Sequence, residues 1–250
     1  MIKINEVYKE FKGRKSSVKA VNNVSFEVNS GEIFGLIGTN GAGKTTIMRM
    51  IATMLKPTFG TIEVIGKNVT LNPENARKNI GILFGGDAGL YDRLTAYENI
   101  DYFAKLNGMT SAESEKRINE LAEFFGMKEY LYRPCGKFSK GMKQKVCFAR
   151  AIVHNPSVML FDEPTSGLDI LAAEEVLSFI KLCRQQNKAV LLSSHDMAEV
   201  TELCDRVAII DKGNLLDTGT IENLTEKYQK TNLKEVFFYL TLKEASNEIQ

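Results

Sequence analysis

The sequence has no tryptophan, only two histidines, four cysteines and five prolines among 250 residues. Cys135, Cys147, Cys183 and Cys204 stand far apart with no C-x-x-C pair. That spacing excludes a disulfide scaffold, argues against a metal site and suits reduced cytosolic thiols. Charge of one sign is also lacking: 32 basic against 31 acidic side chains leave +1. A nucleic-acid partner would want a basic surplus, so none is expected. No apolar run approaches the ~18 residues of a membrane helix, and Met1-Ile2-Lys3-Ile4-Asn5 does not begin a secretory signal. If the protein works at a membrane, another chain must do the spanning. There is no internal repeat and no low-complexity tract. What is present is ordinary for a globular chain, 44% hydrophobic and 25% charged. The length suits one large domain with an insertion as well as two small ones.

Ile2 and Ile4, then Val24, Phe26 and Val28, alternate with polar neighbours, which predicts half-buried antiparallel strands. Ile33-Phe34-Gly35-Leu36-Ile37 is apolar on both faces, as a central parallel strand is. A glycine-rich turn and a helix from Thr46 follow, and Ile62 to Ile65 alternates again. From about residue 92 to 150 the pattern turns helical. Thr95-x-x-Glu98 and Thr110-x-x-Glu113 have the form of capping boxes. Short apolar runs return at 158–161, 190–192 and 207–210, alternating with helical stretches such as 171–183. The expected architecture is α/β, a mostly parallel sheet with an antiparallel N-terminal part and an inserted helical block. A helical tail at 221–250 carries Leu233, Val236, Phe237 and Leu240 at helical spacing, to pack on the domain or on a second subunit.

Gly38-Thr39-Asn40-Gly41-Ala42-Gly43-Lys44-Thr45 fits G-x-x-x-x-G-K-[ST], with a strand before it and a helix after it. Glycines there let successive backbone N–H groups face one point, and the helix N-terminus adds positive potential for phosphate oxygens. Lys44 is expected to reach the β- and γ-phosphates, and Thr45 to place its hydroxyl on Mg²⁺. Asp162-Glu163 ends the apolar run 158–161, where carboxylates project into the ligand crevice of an open α/β sheet. Asp162 is the expected metal ligand, and Glu163 the residue that orients or deprotonates water.

Kinases, GTPases and motor ATPases share such a phosphate loop. Phe138-Ser139-Lys140-Gly141-Met142 separates them, because Ser139 precedes Asp162 by 23 residues. At that spacing the chain resembles the nucleotide-binding subunits of ATP-binding cassette (ABC) transporters, whose signature is L-S-G-G-Q. Ser166-Gly167-Leu168-Asp169 is similar to the family's D-loop, and His195, after Ser193-Ser194, to its switch histidine. The resemblance covers residues 1–220. It implies a P-loop NTPase core and a head-to-tail dimer, a homodimer or heterodimer. In that dimer ATP lies between Gly38–Thr46 of one subunit and Ser139, Lys140 and Gly141 of the other. It further implies catalytic roles for Glu163 and His195, and adenine stacking by Phe11, with Tyr8 as the alternative. ATP and Mg²⁺ are the implied cofactors. The implied partner is a separate membrane permease, which places the chain in the cytoplasm, peripheral on the membrane.

Two departures stand out. The signature has Lys140 where the family has glycine; it either adds positive charge near the nucleotide or is simply solvated. After 80–84 the family has a glutamine, whereas this chain reads Gly85-Gly86-Asp87. Asp87 either substitutes for it or Gly85-Gly86 only turns the chain. Residues 84–92 resemble a branch of bacterial exporter ATPases that includes sodium-export subunits. The expected function is therefore ATP hydrolysis coupled to export. The alternatives are a soluble cassette ATPase acting in translation or on DNA, and a small-molecule kinase, which leaves the signature unexplained. Leu90, Tyr91, Leu94 and Tyr97 are candidate permease contacts.

Overall fold

A computed structural model describes residues 1–13, 16–84 and 89–247. Two long strands open the chain, β1 (Ile2–Lys12) and β2 (Ser17–Val28), paired antiparallel. Next come β3 (Ile33–Gly38), α1 (Lys44–Ile51), β4 (Phe59–Val64), β5 (Lys67–Asn68), α2 (Pro73–Lys78) and β6 (Ile80–Phe84). Three helices follow, α3 (Ala96–Leu106), α4 (Ser111–Phe124) and α5 (Lys140–Ile152). The chain then alternates through β7 (Val158–Asp162), α6 (Ile170–Gln185), β8 (Ala189–Ser194) and α7 (Met197–Leu203). It closes with β9 (Arg206–Asp211), β10 (Asn214–Gly219), α8 (Ile221–Tyr228) and α9 (Leu233–Asn247).

The strands form one sheet in the order β5-β4-β1-β2-β10-β9-β3-β8-β7-β6. From β9 to β6 the neighbours run parallel, while β1, β2, β4 and β5 pair antiparallel. The two parts meet at a single pair, Asn22 and Asn214, where the Asn22 side-chain amide donates to Asn214 Oδ1 at 2.8 Å. The antiparallel strands thus extend the parallel sheet. The strand β10, antiparallel to β9, carries no sequence signal, because Leu215 and Leu216 are adjacent and its residues do not alternate apolar and polar.

Alternate residues of each parallel strand feed opposite layers, which is why these strands read as continuous apolar runs. Phe34, Leu36, Leu160 and Leu191 face α1 and the antiparallel strands. Ile33, Ile37, Phe161 and Leu192 face the helical side. Each such side chain, fully buried, contributes about 1.5–3 kcal/mol. Both capping boxes form: Thr95 and Thr110 accept from the N–H groups of Glu98 and Glu113, and each glutamate reaches back. Caps of this kind are worth about 1 kcal/mol each. Phe148 of α5 stacks on Phe179 of α6 at 4.6 Å, and Phe161 of β7 meets Phe179 edge-on at 5.9 Å. Leu233, Val236, Phe237 and Leu240 of α9 are buried in the same layer, so the tail packs on its own chain.

Candidate functional site

β3, β8 and β7 are neighbours, and their register aligns Leu36 with Ser193 and Ser193 with Asp162. Their carboxyl ends therefore bring three segments to one crevice: Gly38 to Thr45, His195, and Asp162-Glu163. That edge is where open α/β sheets bind ligands.

Backbone geometry at the glycine-rich turn depends on glycine. Gly43, the N-cap of α1, has φ +107°, and a Cβ there would lie 2.4 Å from the Ala20 carbonyl oxygen. Gly41 has φ +83° and faces open space, which leaves the cradle clear. The turn is also tied to the rest of the sheet. The Thr39 hydroxyl donates to Asp211 Oδ1 at 3.0 Å, and the Gly213 N–H donates to the Ala42 carbonyl at 3.0 Å. Lys44 is buried and donates to the Gly38 and Thr39 carbonyls at 2.8 and 3.2 Å. Burial pulls its ammonium pKa down, while the charges of Glu163 and Asp162 oppose that shift.

Glu163 sits at φ +51°, a conformation uncommon outside glycine. Its N–H donates to the Ser193 carbonyl at 3.0 Å. Its side chain bridges two basic groups, with Oε1 3.8 Å from Lys44 Nζ and Oε2 2.5 Å from His195 Nδ1. Asp162 is buried, and the Ser193 hydroxyl donates to its Oδ1. A carboxylate and the Thr45 hydroxyl are hard oxygen donors suited to Mg²⁺.

Other sequence-predicted residues are not part of this cluster. Ser139 caps α5 and accepts from the Met142 N–H at 3.2 Å. A Cβ on Gly141 would meet nothing within 4 Å, so that face is open. α5 packs mainly on α3, α4 and β6, whereas α1 packs on β2, β3, β4 and β7. α5 and α1 thus bury their apolar faces in different layers of the core of one chain. Lys140 is exposed, and its ammonium donates to the Gly167 carbonyl of the same chain. Phe11 is 42% exposed near the β1–β2 turn, with Lys9 over its ring at 5.1 Å. Tyr8 instead meets Phe59 edge-on at 6.4 Å. Asp87, with Gly85 and Gly86, lies outside the described residues. Leu90, Leu94 and Tyr97 are half-buried, and Tyr91 is exposed.

Sequence reasoning passed over Asp211, which holds Thr39, and Glu199, which accepts from Ser194 and Thr165. An acidic residue four positions after His195, in the first turn of α7, was the available signal for Glu199. Among the described residues no helix is long and apolar enough to cross a membrane.

Comparison with protein-family models matches residues 21–166 to the family described as ABC transporter. The ABC transporter ATP-binding protein NatA of Bacillus subtilis is 45% identical, over 95% of this chain and 96% of NatA. The bacitracin transport ATP-binding protein BcrA of Bacillus licheniformis is 37% identical, over 86% of this chain and 69% of BcrA. A methionine import ATP-binding protein, MetN 1 of Listeria monocytogenes, is 35% identical over 94% of this chain and 70% of its own length. A solved ATP-binding subunit of an ABC transporter superposes with a TM-score of 0.85 at 29% identity, covering 96% of this chain and 99% of that one. The cassette MJ0796, solved as a dimer in a post-hydrolysis state with ADP and Pi, superposes with a TM-score of 0.77 at 26% identity. It covers 88% of this chain and 98% of its own.

Proposed function

The chain belongs to the ABC transporter ATP-binding family and is an ATPase of that family, and from this premise we propose how it works. It hydrolyses ATP as one half of a head-to-tail dimer and drives a separate membrane permease, in the direction of export. One observation carries the dimer. Lys44, Glu163 and His195 meet at the sheet edge, while among the described residues Ser139 and Lys140, at the open N-terminus of α5, bond to Met142 and Gly167 and not to them. A second copy turned head-to-tail supplies that helix terminus, whose positive potential faces the γ-phosphate.

In this site Phe11 stacks on the adenine. The N–H groups from Gly38, Thr39, Asn40, Gly41, Ala42 and Gly43, with Thr46 beyond them, surround the phosphates. Lys44 exchanges its carbonyl partners for phosphate oxygens, which compensate its buried charge. Thr45 and Asp162 would hold Mg²⁺, an ion that neutralises charge on the β- and γ-phosphate oxygens when bound. Glu163 accepts a proton from the water that attacks the γ-phosphorus as the bond to the ADP oxygen breaks. His195 holds Glu163 and faces the γ-phosphate. Ser139 of the partner subunit, with the partner's Lys140 and the partner's Gly141, closes the other side. Loss of the γ-phosphate removes the bridge, and reopening moves the permease. The transporter names of the relatives favour this reading over a role in translation or on DNA. Both export and import occur among those names, and the 84–92 resemblance is what favours export. On this reading the chain lies on the cytoplasmic face of the membrane.

Glu163→Gln keeps the shape of the site and removes the base. Turnover is expected to fall by about 10²–10⁴, roughly 3–5 kcal/mol of barrier, and gel filtration with Mg-ATP is expected to give a stable dimer. Turnover at the parent rate would contradict the role of Glu163. A monomer at saturating Mg-ATP would contradict the nucleotide-bridged dimer.

A further inference from the structure

Behind the Glu163–His195 pair, one buried carboxyl joins the two loops that carry them. Glu199 lies in the first turn of α7 and is only 7% exposed. Its Oε2 accepts from the Ser194 hydroxyl at 2.7 Å and from the Thr165 hydroxyl at 3.2 Å. Ser194 is the residue before His195, and Thr165 follows Glu163 by two. The Ser194 oxygen also accepts from the Asp196 N–H at 3.0 Å, and the Asp196 carboxylate caps α7. The hydroxyl next to His195 is therefore held by both its proton and its lone pair.

This arrangement is costly for a purely structural joint. The second oxygen of Glu199, Oε1, is buried without a partner. Burial raises the carboxyl pKa, and the nearby charges of Asp196 and Glu163 push it the same way, against the two hydroxyl hydrogen bonds. Its helix neighbours Val200 and Leu203 are fully apolar and already anchor α7 in the core. A buried acid with one orphaned oxygen costs stability that an apolar residue would not.

We propose that Glu199 is a positioning residue: by holding Ser194 and Thr165 on one oxygen, it fixes the separation of the Glu163 and His195 loops. The proposal rests on the ATPase reading above. The geometry it protects is the direct contact between Glu163 and His195, and small displacements of a catalytic pair are expensive. α7 does not touch the phosphate cradle in any hydrogen bond of the described residues, so ATP affinity is expected to be independent of it.

The test uses the full chain, with ATP turnover, Mg-ATP affinity and thermal midpoint measured on each variant. Glu199→Ala should lower kcat by about 10–100-fold while leaving the Mg-ATP dissociation constant within about twofold. Glu199→Gln retains an acceptor oxygen for both hydroxyls and should restore most of kcat. Ser194→Ala removes this donor, and with it the acceptor of the Asp196 N–H, without touching Glu199, so it tests the link even if Glu199→Ala fails to fold. In a folded Glu199→Ala background its kcat loss should be clearly smaller than in the parent. Parent-like turnover in Ser194→Ala and Glu199→Ala overturns the proposal. So does a Gln variant as impaired as the Ala variant, which would assign the effect to charge. No ATP turnover by the parent chain overturns the ATPase reading, and the positioning role with it.

Discussion

At the scale of single residues, the molecule places charge in burial and compensates it locally. Lys44 uses loop carbonyls, Asp162 uses the Ser193 hydroxyl, and Lys188 uses Asn155 Oδ1 and the Pro156 carbonyl at 2.9 and 2.6 Å. His154 is a different case. Its Nε2 lies 3.2 Å from the Ile80 carbonyl oxygen, which only accepts, so that nitrogen carries the proton. Burial holds its pKa below the usual imidazole value, against the raising effect of that hydrogen bond, and the Lys188 charge lowers it further. The unfolded chain therefore takes up the second imidazole proton, at Nδ1, at a higher pH than the folded one. The contribution is full above the unfolded value of about 6.5 and is lost as pH falls below it. Urea titrations from pH 7.5 to 5 should give a declining unfolding free energy whose slope is shallower in His154→Gln. An unchanged slope would assign the pH dependence to other groups. The sequence left His154 without a role because burial is a property of neighbours, not of the motif around it.

At the scale of elements, local signals were most legible where chemistry binds contiguous residues. The G-x-x-x-x-G-K-T turn, both capping boxes and the apolar strands announced themselves through spacing alone. The short α7 did not, and Glu199 went with it, because seven residues hold too few periods to separate a helix from a loop. The tail shows the reverse. Its apolar spacing predicted a helix, but only packing decided that α9 covers its own chain, alongside α7 and α8. Leu233, 1% exposed at the start of that helix, is expected to cost about 2–5 kcal/mol when replaced by alanine. A denaturation midpoint equal to the parent's would mean that α9 is not part of the folded unit.

At the scale of the whole molecule, the aromatic contacts among Phe148, Phe179 and Phe161 link α5, which carries the signature, to β7, which carries Asp162. In the dimer proposed above, these rings would connect one site to the helix that completes the other. Two inactive variants should therefore complement each other. Lys44→Ala lacks a working phosphate loop and Ser139→Arg lacks a working signature. In a mixed head-to-tail dimer, one of the two sites takes its loop and its signature from the intact copies. Random mixing is expected to restore about one quarter of the parent ATP turnover, with neither variant active alone. A mixture as inactive as its components would place the signature and the loop of each site in the same chain.

The sequence by itself determined the chemistry on offer: a phosphate cradle, paired carboxylates at a strand end, a capped signature helix and strands apolar on both faces. These are set by residue identity and spacing within short windows. Only the tertiary structure decided that the antiparallel strands continue the parallel sheet through Asn22 and Asn214. It alone turned Lys140 back onto Gly167 and put Glu163 between Lys44 and His195. Each of those outcomes joins segments far apart along the chain. Their separation in space is set by how buried layers pack, which no local pattern encodes.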